Sequence, residues 1–219
     1  MLADKQSNEA GFKFLLFGAM TSTIMLYGFS LLFGFAGTTD MYELASMAVA
    51  GQLPLGVALG LVVLIVVGLG FKVSIVPFHF WAPDVYTGSP TPVAGFLSTA
   101  SKAAGFAVIL RLFMTVFEGA DITILSSSWA SFLAILATIT MTLGNLVALK
   151  QTNIKRLLAY SSIAHAGYAM IGVVALTTEN SAVVGLGVSS VVFYLLAYIL
   201  TNLAAFGIAM AFERVTDSD

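Results

Sequence analysis

Two lysines, Lys72 and Lys102, lie deep inside long apolar stretches of the 219-residue sequence. A lysine at the centre of a membrane-spanning helix costs roughly 2.5–3.5 kcal/mol on insertion scales, so it normally faces a bundle interior or a water-filled cavity and marks an ion pathway. None of the eleven Asp and Glu residues lies in these stretches. Either the lysines are uncharged part of the time, because burial disfavours the charged form, or their acidic partner lies in a segment outside this sequence. Both alternatives favour proton transfer over a purely structural role.

The two histidines are the other candidates for proton transfer. His165 lies near the middle of an apolar stretch, and an imidazole with an ordinary pKa near about 6.5 suits a proton carrier. Hydrogen-bonded packing is an equally good interpretation of this single histidine. His79 follows Pro77 closely and lies nearer the end of its stretch, where it could help protons enter. The candidate site therefore consists of Lys72 and Lys102, with His165 and His79 as further relay groups.

The composition excludes several classes of protein. Hydrophobic residues make up 59% of the chain and charged residues 9%, whereas a soluble domain carries about 25% charged residues, so the sequence indicates an integral membrane protein. With no cysteine and only two separated histidines, it offers no ligand set for iron–sulfur clusters or other metals. A dinucleotide-binding fingerprint is also lacking, and a net charge of −2 provides no basic surface for nucleic acid. We therefore expect no cofactor or metal in this chain.

Six stretches are long enough to cross about 30 Å of hydrocarbon, which takes about 20 apolar residues. They predict an all-α bundle of about six transmembrane helices in a single domain, with spans at about 14–36, 56–81, 93–117, 129–149, 154–176 and 181–212. Pro77 removes a main-chain amide donor five residues after Lys72, so the second helix is expected to break near these residues. Broken helices at membrane depth occur where they line a polar cavity. A simple proline kink is the alternative interpretation.

Cations are distributed unevenly between the two ends of these helices. An even number of spans puts both termini on one face, here called face A, together with loops 82–92 and 150–153. Face A and its adjoining helical turns carry six lysine and arginine residues, whereas the loops on the opposite face, face B, carry none. The positive-inside rule then predicts a cytoplasmic face A. Arg111 lies close enough to the face B end of its helix for its side chain to reach the interface.

Three blocks of the sequence resemble a known family, and together the resemblance covers essentially the whole chain. They read GFKVSIVPFHFWAPDVYTGSPTP at residues 70–92, FLSTASKAAGF at 96–106 and QTNIKRLLAYSSIAHAGY at 151–168. The first block resembles the signature of membrane subunit N of proton-pumping NADH:quinone oxidoreductase, respiratory complex I, and the other two resemble later parts of that subunit. The sister subunits L and M and the cation/proton antiporter subunits share a lysine in the first block but lack the PFHFWAPDVY motif.

The resemblance implies an antiporter-like fold of about fourteen helices with two inverted repeats of about five helices each. The six spans look like helices six to eleven of that fold. Lys72 would correspond to the family's lysine on the broken seventh helix, and Lys102 to the lysine on the eighth. The family's glutamate on helix five and its lysine on helix twelve have no counterpart here, so the chain is expected to be a fragment. That glutamate is a candidate for the acidic partner of the two lysines.

The resemblance also implies a function, which is proton translocation through the buried lysines as a subunit of an oxidoreductase. Flavin and iron–sulfur clusters would then lie in partner subunits. The partners of this chain would be other membrane subunits and the lipid bilayer of a bacterial-type inner membrane or its organelle equivalent, with both termini cytoplasmic. A cation/proton antiporter subunit and the equivalent subunit of a ferredoxin- or other donor-driven complex are the alternatives. A purely structural scaffold would not require two deep lysines.

The two lysines are expected to share their surroundings. Each charge is expensive in lipid, and a common hydrated cavity would lower that energy for both. We therefore expect the side chains of Lys72 and Lys102 both to face the bundle interior, bridged by about one to three waters.

Overall fold

The computed structural model describes residues 4–50, 52, 54–117, 123–177 and 181–216, and every regular element within these ranges is a helix. In chain order the α-helices are α1 (Lys5–Ala36), α2 (Met41–Val49), α3 (Leu55–Val73), α4 (Trp81–Gly88), α5 (Thr91–Ser98), α6 (Ala100–Leu112), α7 (Thr123–Ala148), α8 (Ile154–Val174) and α9 (Ser181–Thr216). A π-helical turn, Phe113–Phe117, follows α6, and a 3-10 turn, Ala175–Thr177, follows α8.

Within the described ranges, six helical segments are long and apolar enough to cross a membrane. They are Lys5–Ala36, Gly56–Val73, Thr91–Val116, Trp129–Ala148, Ile154–Val174 and Val184–Val215. The prediction of an all-α membrane bundle with about six spans is therefore confirmed. Two short helices, α2 and α4, lie where the sequence predicts loops. Asp40 begins α2 by accepting hydrogen bonds from the main-chain amides of Tyr42 and Glu43, which is a common N-terminal cap.

Helix α3 ends at Val73, four residues before Pro77. Ser74 adopts a left-handed conformation with φ 60° and ψ 41°, and the amide of Ile75 donates to the carbonyl of Gly70 at 3.0 Å. This arrangement is a Schellman-type helix end. The predicted break in the second span is therefore confirmed, although Ser74 rather than the proline ends the helix.

Side chains from neighbouring helices bond main-chain groups at the break. The indole nitrogen of Trp81 on α4 donates to the carbonyl of Phe71 at 3.0 Å. The amide of Val76 donates to the hydroxyl of Thr140 on α7, also at 3.0 Å. Irregular backbone at membrane depth requires such partners, because lipid offers none.

The third span is interrupted at Thr99, where the sequence predicts a continuous helix over 93–117. Thr99 has φ −111° and ψ −78°, and it separates α5 from α6. The hydroxyls of Ser98 and Thr99 both donate to the carbonyl of Gly95, at 2.9 and 2.8 Å. Such bonds to the preceding turn compete with the main-chain pattern and often bend helices. The interruption lies three residues before Lys102.

Helices α7 and α8 approach each other closely at two glycines. A Cβ on Gly144 would lie 2.7 Å from the amide nitrogen of Ala164, and a Cβ on Gly167 would lie 2.8 Å from the amide nitrogen of Met141. Small residues allow this approach between membrane helices, where packing supplies much of the association energy. The contact holds α8, which carries His165, firmly against its neighbour.

Candidate functional site

Lys102 lies in the first turn of α6 and is 1% exposed. Its Nζ donates to the main-chain carbonyl of Ser162 on α8 at 2.7 Å. A buried amine needs hydrogen-bond partners, because burial of an unpaired polar group is costly. The structure thus places Lys102 in the bundle interior, which is where the sequence predicts it.

Ser162 links Lys102 to polar side chains on α9. The hydroxyl of Tyr198 donates to Ser162 Oγ at 2.8 Å, and Asn202 Nδ2 donates to Tyr198 Oη at 2.8 Å. The same Asn202 nitrogen also donates to Ser98 Oγ at 2.9 Å. All five residues are buried, and we call them the polar network. It runs from α6 through α8 and α9 and returns to α5.

His165 lies beside the polar network. The centroid of its ring is 5.0 Å from that of Tyr198, and its Nδ1 forms a hydrogen bond with the hydroxyl of Tyr194. The ring of Tyr168 approaches it edge-on, with 5.6 Å between centroids. His165 is thus connected to Lys102 through Tyr198 and Ser162, because Tyr198 contacts the imidazole and donates to Ser162, whose carbonyl accepts from Lys102. The structure therefore brings these two predicted site residues together.

Lys72 is exposed at the surface of the described chain. The expectation that both lysines face the bundle interior is therefore met for Lys102 but, within the described residues, not for Lys72. Its neighbours Phe71 and Val73 are 2% and 0% exposed. Consecutive helical residues point about 100° apart, so packing these two inward turns Lys72 outward. Its helix nevertheless contacts α6, since a Cβ on Gly105 would lie 3.6 Å from Lys72 Cβ. The two lysines lie on adjacent helices but in different surroundings.

His79 lies in the turns between α3 and α4 and is half-buried. Its ring packs against that of Phe80, with 5.2 Å between centroids. As far as the described residues show, His79 is not a member of the polar network. It lies at the helix break, nearer to Lys72 along the chain than to Lys102.

Tyr194 and Tyr198 are site residues that the sequence interpretation did not identify. Together with Asn202 they are spaced four residues apart, which puts all three on one face of α9. The signal that could have found them is this stripe of hydrogen-bonding side chains within an apolar span. Its meaning depends on α8, because the stripe faces Ser162 and His165.

Ion pairs join helices at the end of the bundle predicted to be face A. Asp84 on α4 accepts from Lys13 on α1 at 2.6 Å and from Arg156 on α8 at 3.0 Å. Lys155 is buried and donates to Glu213, near the end of α9, at 2.9 Å. The N-terminal parts of α1 and α8 and the C-terminal part of α9 are therefore held on the same side of the bundle.

Replacing Asp84 with asparagine should loosen this end of the bundle. The change removes the carboxylate charge that Lys13 and Arg156 share, and we expect the apparent unfolding temperature in lipid or detergent to fall by about 2–4 °C. High salt should reduce the difference, because it screens partly exposed ion pairs. Glu9→Gln is the matched control, since Glu9 also pairs with Lys13 but its side chain is 63% exposed. Equal shifts for the two variants would contradict a special role of Asp84.

In the part of the chain that the structure describes, six helices long and apolar enough to cross a membrane surround a core that contains a hydrogen-bonded lysine, which defines a polytopic integral membrane protein. A family model described as "NADH:quinone oxidoreductase/Mrp antiporter, TM" matches residues 1–219. The chain belongs to this family.

Curated relatives agree with this assignment. Subunit N of NADH-quinone oxidoreductase from Heliobacterium modesticaldum is 47% identical over 223 residues, and that from Moorella thermoacetica is 49% identical over 219 residues. Subunit 2 of NAD(P)H-quinone oxidoreductase from Synechocystis sp. is 47% identical over 222 residues. The alignments cover 100% of this chain but 43%, 43% and 40% of the respective relatives. The resemblance to subunit N is confirmed, and the chain spans about two fifths of the length of these relatives.

Solved structures show the same fold. A chain of respiratory complex I from Thermus thermophilus matches with a TM-score of 0.74 and 38% identity, over 94% of this chain and 41% of its own length. A chain of an archaeal membrane-bound sulfane sulfur reductase matches with a TM-score of 0.79 and 30% identity, over 93% and 39%. The Mrp complex from Dietzia sp. gives a TM-score of 0.81 at 24% identity, over 96% and 36%. The expected antiporter-like fold is therefore confirmed.

Proposed function

We propose that this chain forms part of the proton-translocating membrane subunit of a complex I-type NADH:quinone oxidoreductase, a translocase whose electron transfer takes place in other subunits. The observation that carries the proposal is Lys102, a titratable amine buried in the bundle and hydrogen-bonded to Ser162. Identities of 47% and 49% to subunit N relatives support this function over the alternatives.

Each predicted site residue has a role in this proposal. Lys102 takes up and releases protons inside the bundle, and His165 beside it extends the path toward face B. Lys72 exchanges protons with Lys102 along the contact between α3 and α6. Lys72 is exposed, and the resemblance implies that its acidic partner is a glutamate on a neighbouring helix outside the described residues. His79 connects the helix break to face A.

The proposal places every redox centre outside this chain. Flavin and iron–sulfur clusters belong to partner subunits, because the sequence contains no cysteine and iron–sulfur clusters are held mainly by cysteine thiolates. The partners are other membrane subunits and the lipid of a bacterial-type inner membrane or its organelle equivalent. The likeness to chains of multi-subunit membrane complexes supports such partners.

A cation/proton antiporter subunit is the second candidate function, favoured by the fold likeness to the Mrp complex. A site for Na⁺ or K⁺ within the membrane would need oxygen ligands, typically a carboxylate, and all eleven Asp and Glu residues lie outside the apolar stretches. A subunit of a related complex with another electron donor is the third candidate, supported by the likeness to the sulfane sulfur reductase.

One experiment separates these functions. The complex is purified through a tag on this chain and reconstituted in sealed vesicles that contain a quinone. Addition of NADH should drive proton movement across the vesicle membrane, and omission of the quinone should stop it. Proton movement driven by a Na⁺ or K⁺ gradient without NADH would support the antiporter. Pumping with another electron donor but not with NADH would identify a related complex.

Cysteine labelling tests the orientation that the cation distribution predicts. The sequence has no native cysteine, so Thr39→Cys and Thr152→Cys each provide a single label site at an exposed position. A membrane-impermeant maleimide should label Thr152→Cys only from the cytoplasmic side and Thr39→Cys only from the opposite side. The reverse pattern would show that face A is not cytoplasmic.

A further inference from the structure

Ser162 has two partners in the interior of the bundle. Its main-chain carbonyl accepts from Lys102 Nζ at 2.7 Å, and its hydroxyl accepts from Tyr198 Oη at 2.8 Å. Both bonds are buried, where hydrogen bonds are electrostatically stronger than in water. A change at the Tyr198 hydroxyl therefore reaches Lys102 through a single residue.

Asn202 connects the same tyrosine back to the span that carries Lys102. The side-chain nitrogen of Asn202 has two hydrogens, and they go to Tyr198 Oη and Ser98 Oγ at 2.8 and 2.9 Å. Ser98 in turn donates to the carbonyl of Gly95 at the helix interruption. The hydrogen bonds of the polar network, together with residues 98–102, therefore form a closed ring that includes the helix interruption.

The two ends of the Tyr198 side chain contact different proton-transfer candidates. Its hydroxyl bonds Ser162 and so acts on Lys102, whereas its ring lies 5.0 Å from the imidazole of His165 at an interplanar angle of 40°. Tyr198→Phe would keep the ring contact and remove only the hydroxyl. The other titratable side chains around these groups are Tyr86 on α4, Tyr168 on α8 and Tyr194 on α9, and Lys72 on α3 lies across the contact between α3 and α6.

We propose that Tyr198 is a positioning residue, which holds Ser162 and the amine of Lys102 where Lys102 and His165 exchange a proton. In this step the ammonium of Lys102 loses the proton that the neutral imidazole of His165 gains, and the reverse step restores both groups. Tyr198 itself neither gains nor loses a proton. The inference rests on the proposed proton-translocating function and adds a residue to it.

The test compares Tyr198→Phe, Ser162→Ala and the double variant in the purified complex, reconstituted in vesicles. Each single change should lower the initial rate of NADH-driven proton movement by about 3- to 10-fold, the factor expected for one lost buried hydrogen bond. Each should also shift the pH at which pumping is half-maximal. Because both changes remove the same hydrogen bond, the double variant should be no slower than the slower single variant. Tyr27→Phe, at a tyrosine that is 59% exposed on α1, is the control that should change neither rate nor pH profile.

Two results would overturn the inference. The first is a normal rate and pH profile in Tyr198→Phe while Lys102→Met is impaired, which would leave the proposed function intact. The second is a double variant in which the two rate losses multiply, because the two side chains would then act separately. Normal pumping by Lys102→Met would instead refute the proposed function itself.

Discussion

Replacing Lys102 with methionine should remove most of the proton pumping by the complex that contains this chain. Methionine has a similar length but no titratable proton, and it cannot donate to the Ser162 carbonyl as Lys102 does. A positioned proton-transfer group contributes about 10²–10⁴-fold to a rate. We therefore expect the initial rate of NADH-driven proton movement to fall at least about tenfold, measured in vesicles that contain equal amounts of assembled complex.

Two further lysine variants make this result specific. Lys102→Arg keeps the positive charge but not the ability to lose a proton, because a guanidinium group does not deprotonate in proteins, and it should also be impaired. Lys150→Met is the matched control, since Lys150 is exposed in the turn after α7. The complex that carries this variant should pump at the normal rate. A fully active Lys102→Arg variant would show that charge alone is required.

Lys72→Ala is expected to reduce pumping by a similar factor, at least about tenfold, for a different structural reason. Lys72 lies at the exposed surface of the last turn of α3, next to the helix break, and an unpaired ammonium group inside the membrane costs up to roughly 2.5–3.5 kcal/mol. In the proposed function Lys72 pairs with an acidic residue on a neighbouring helix and exchanges protons with Lys102 along the contact between α3 and α6. Lys72→Arg should be impaired as well, because the pair would then be permanently ionised.

Arg111→Ala is the matched control for Lys72. Like Lys72, Arg111 is an exposed cation in the last turn of an apolar helix. However, α6 ends toward the predicted face B loop, where the side chain of Arg111 can reach the interface, whereas α3 ends at the break that leads into α4. We expect the pumping rate of Arg111→Ala to stay close to that of the unmodified complex. Full pumping by Lys72→Ala, or an equal loss in Arg111→Ala, would contradict a specific role of Lys72 in proton transfer.

The features that could be predicted from the sequence depend on signals within one helix. The length of each apolar stretch determines whether it can span the bilayer, and Pro77, five residues after Lys72, marks a break in an otherwise continuous span. The burial of Lys102 also follows, because Lys102 lies well inside the apolar stretch 93–117, too far from either end for its amine to reach water. These predictions need no knowledge of which helices are neighbours.

The features that could not be predicted depend on contacts between helices. Lys72 faces outward because Phe71 and Val73 pack inward, and hydrophobicity alone does not choose between the faces of a helix as uniformly apolar as α3. The interruption at Thr99 depends on two hydroxyls that both bond the carbonyl of Gly95. Tyr198 could be recognised as part of the site only once α9 was placed against Ser162.

Two hydrogen bonds from neighbouring helices hold the end of α3 and the residues that follow it. The indole of Trp81 donates to the carbonyl of Phe71, and the hydroxyl of Thr140 accepts from the amide of Val76. Turning this helix end to move Lys72 from one side of the membrane to the other would break both hydrogen bonds, at about 1–3 kcal/mol for each polar group left unsatisfied. In the proposed function, alternating proton access at Lys72 would therefore use small movements, namely rotamer changes along the four-carbon lysine stem and rearrangement of the surrounding water, while the helix itself keeps its position.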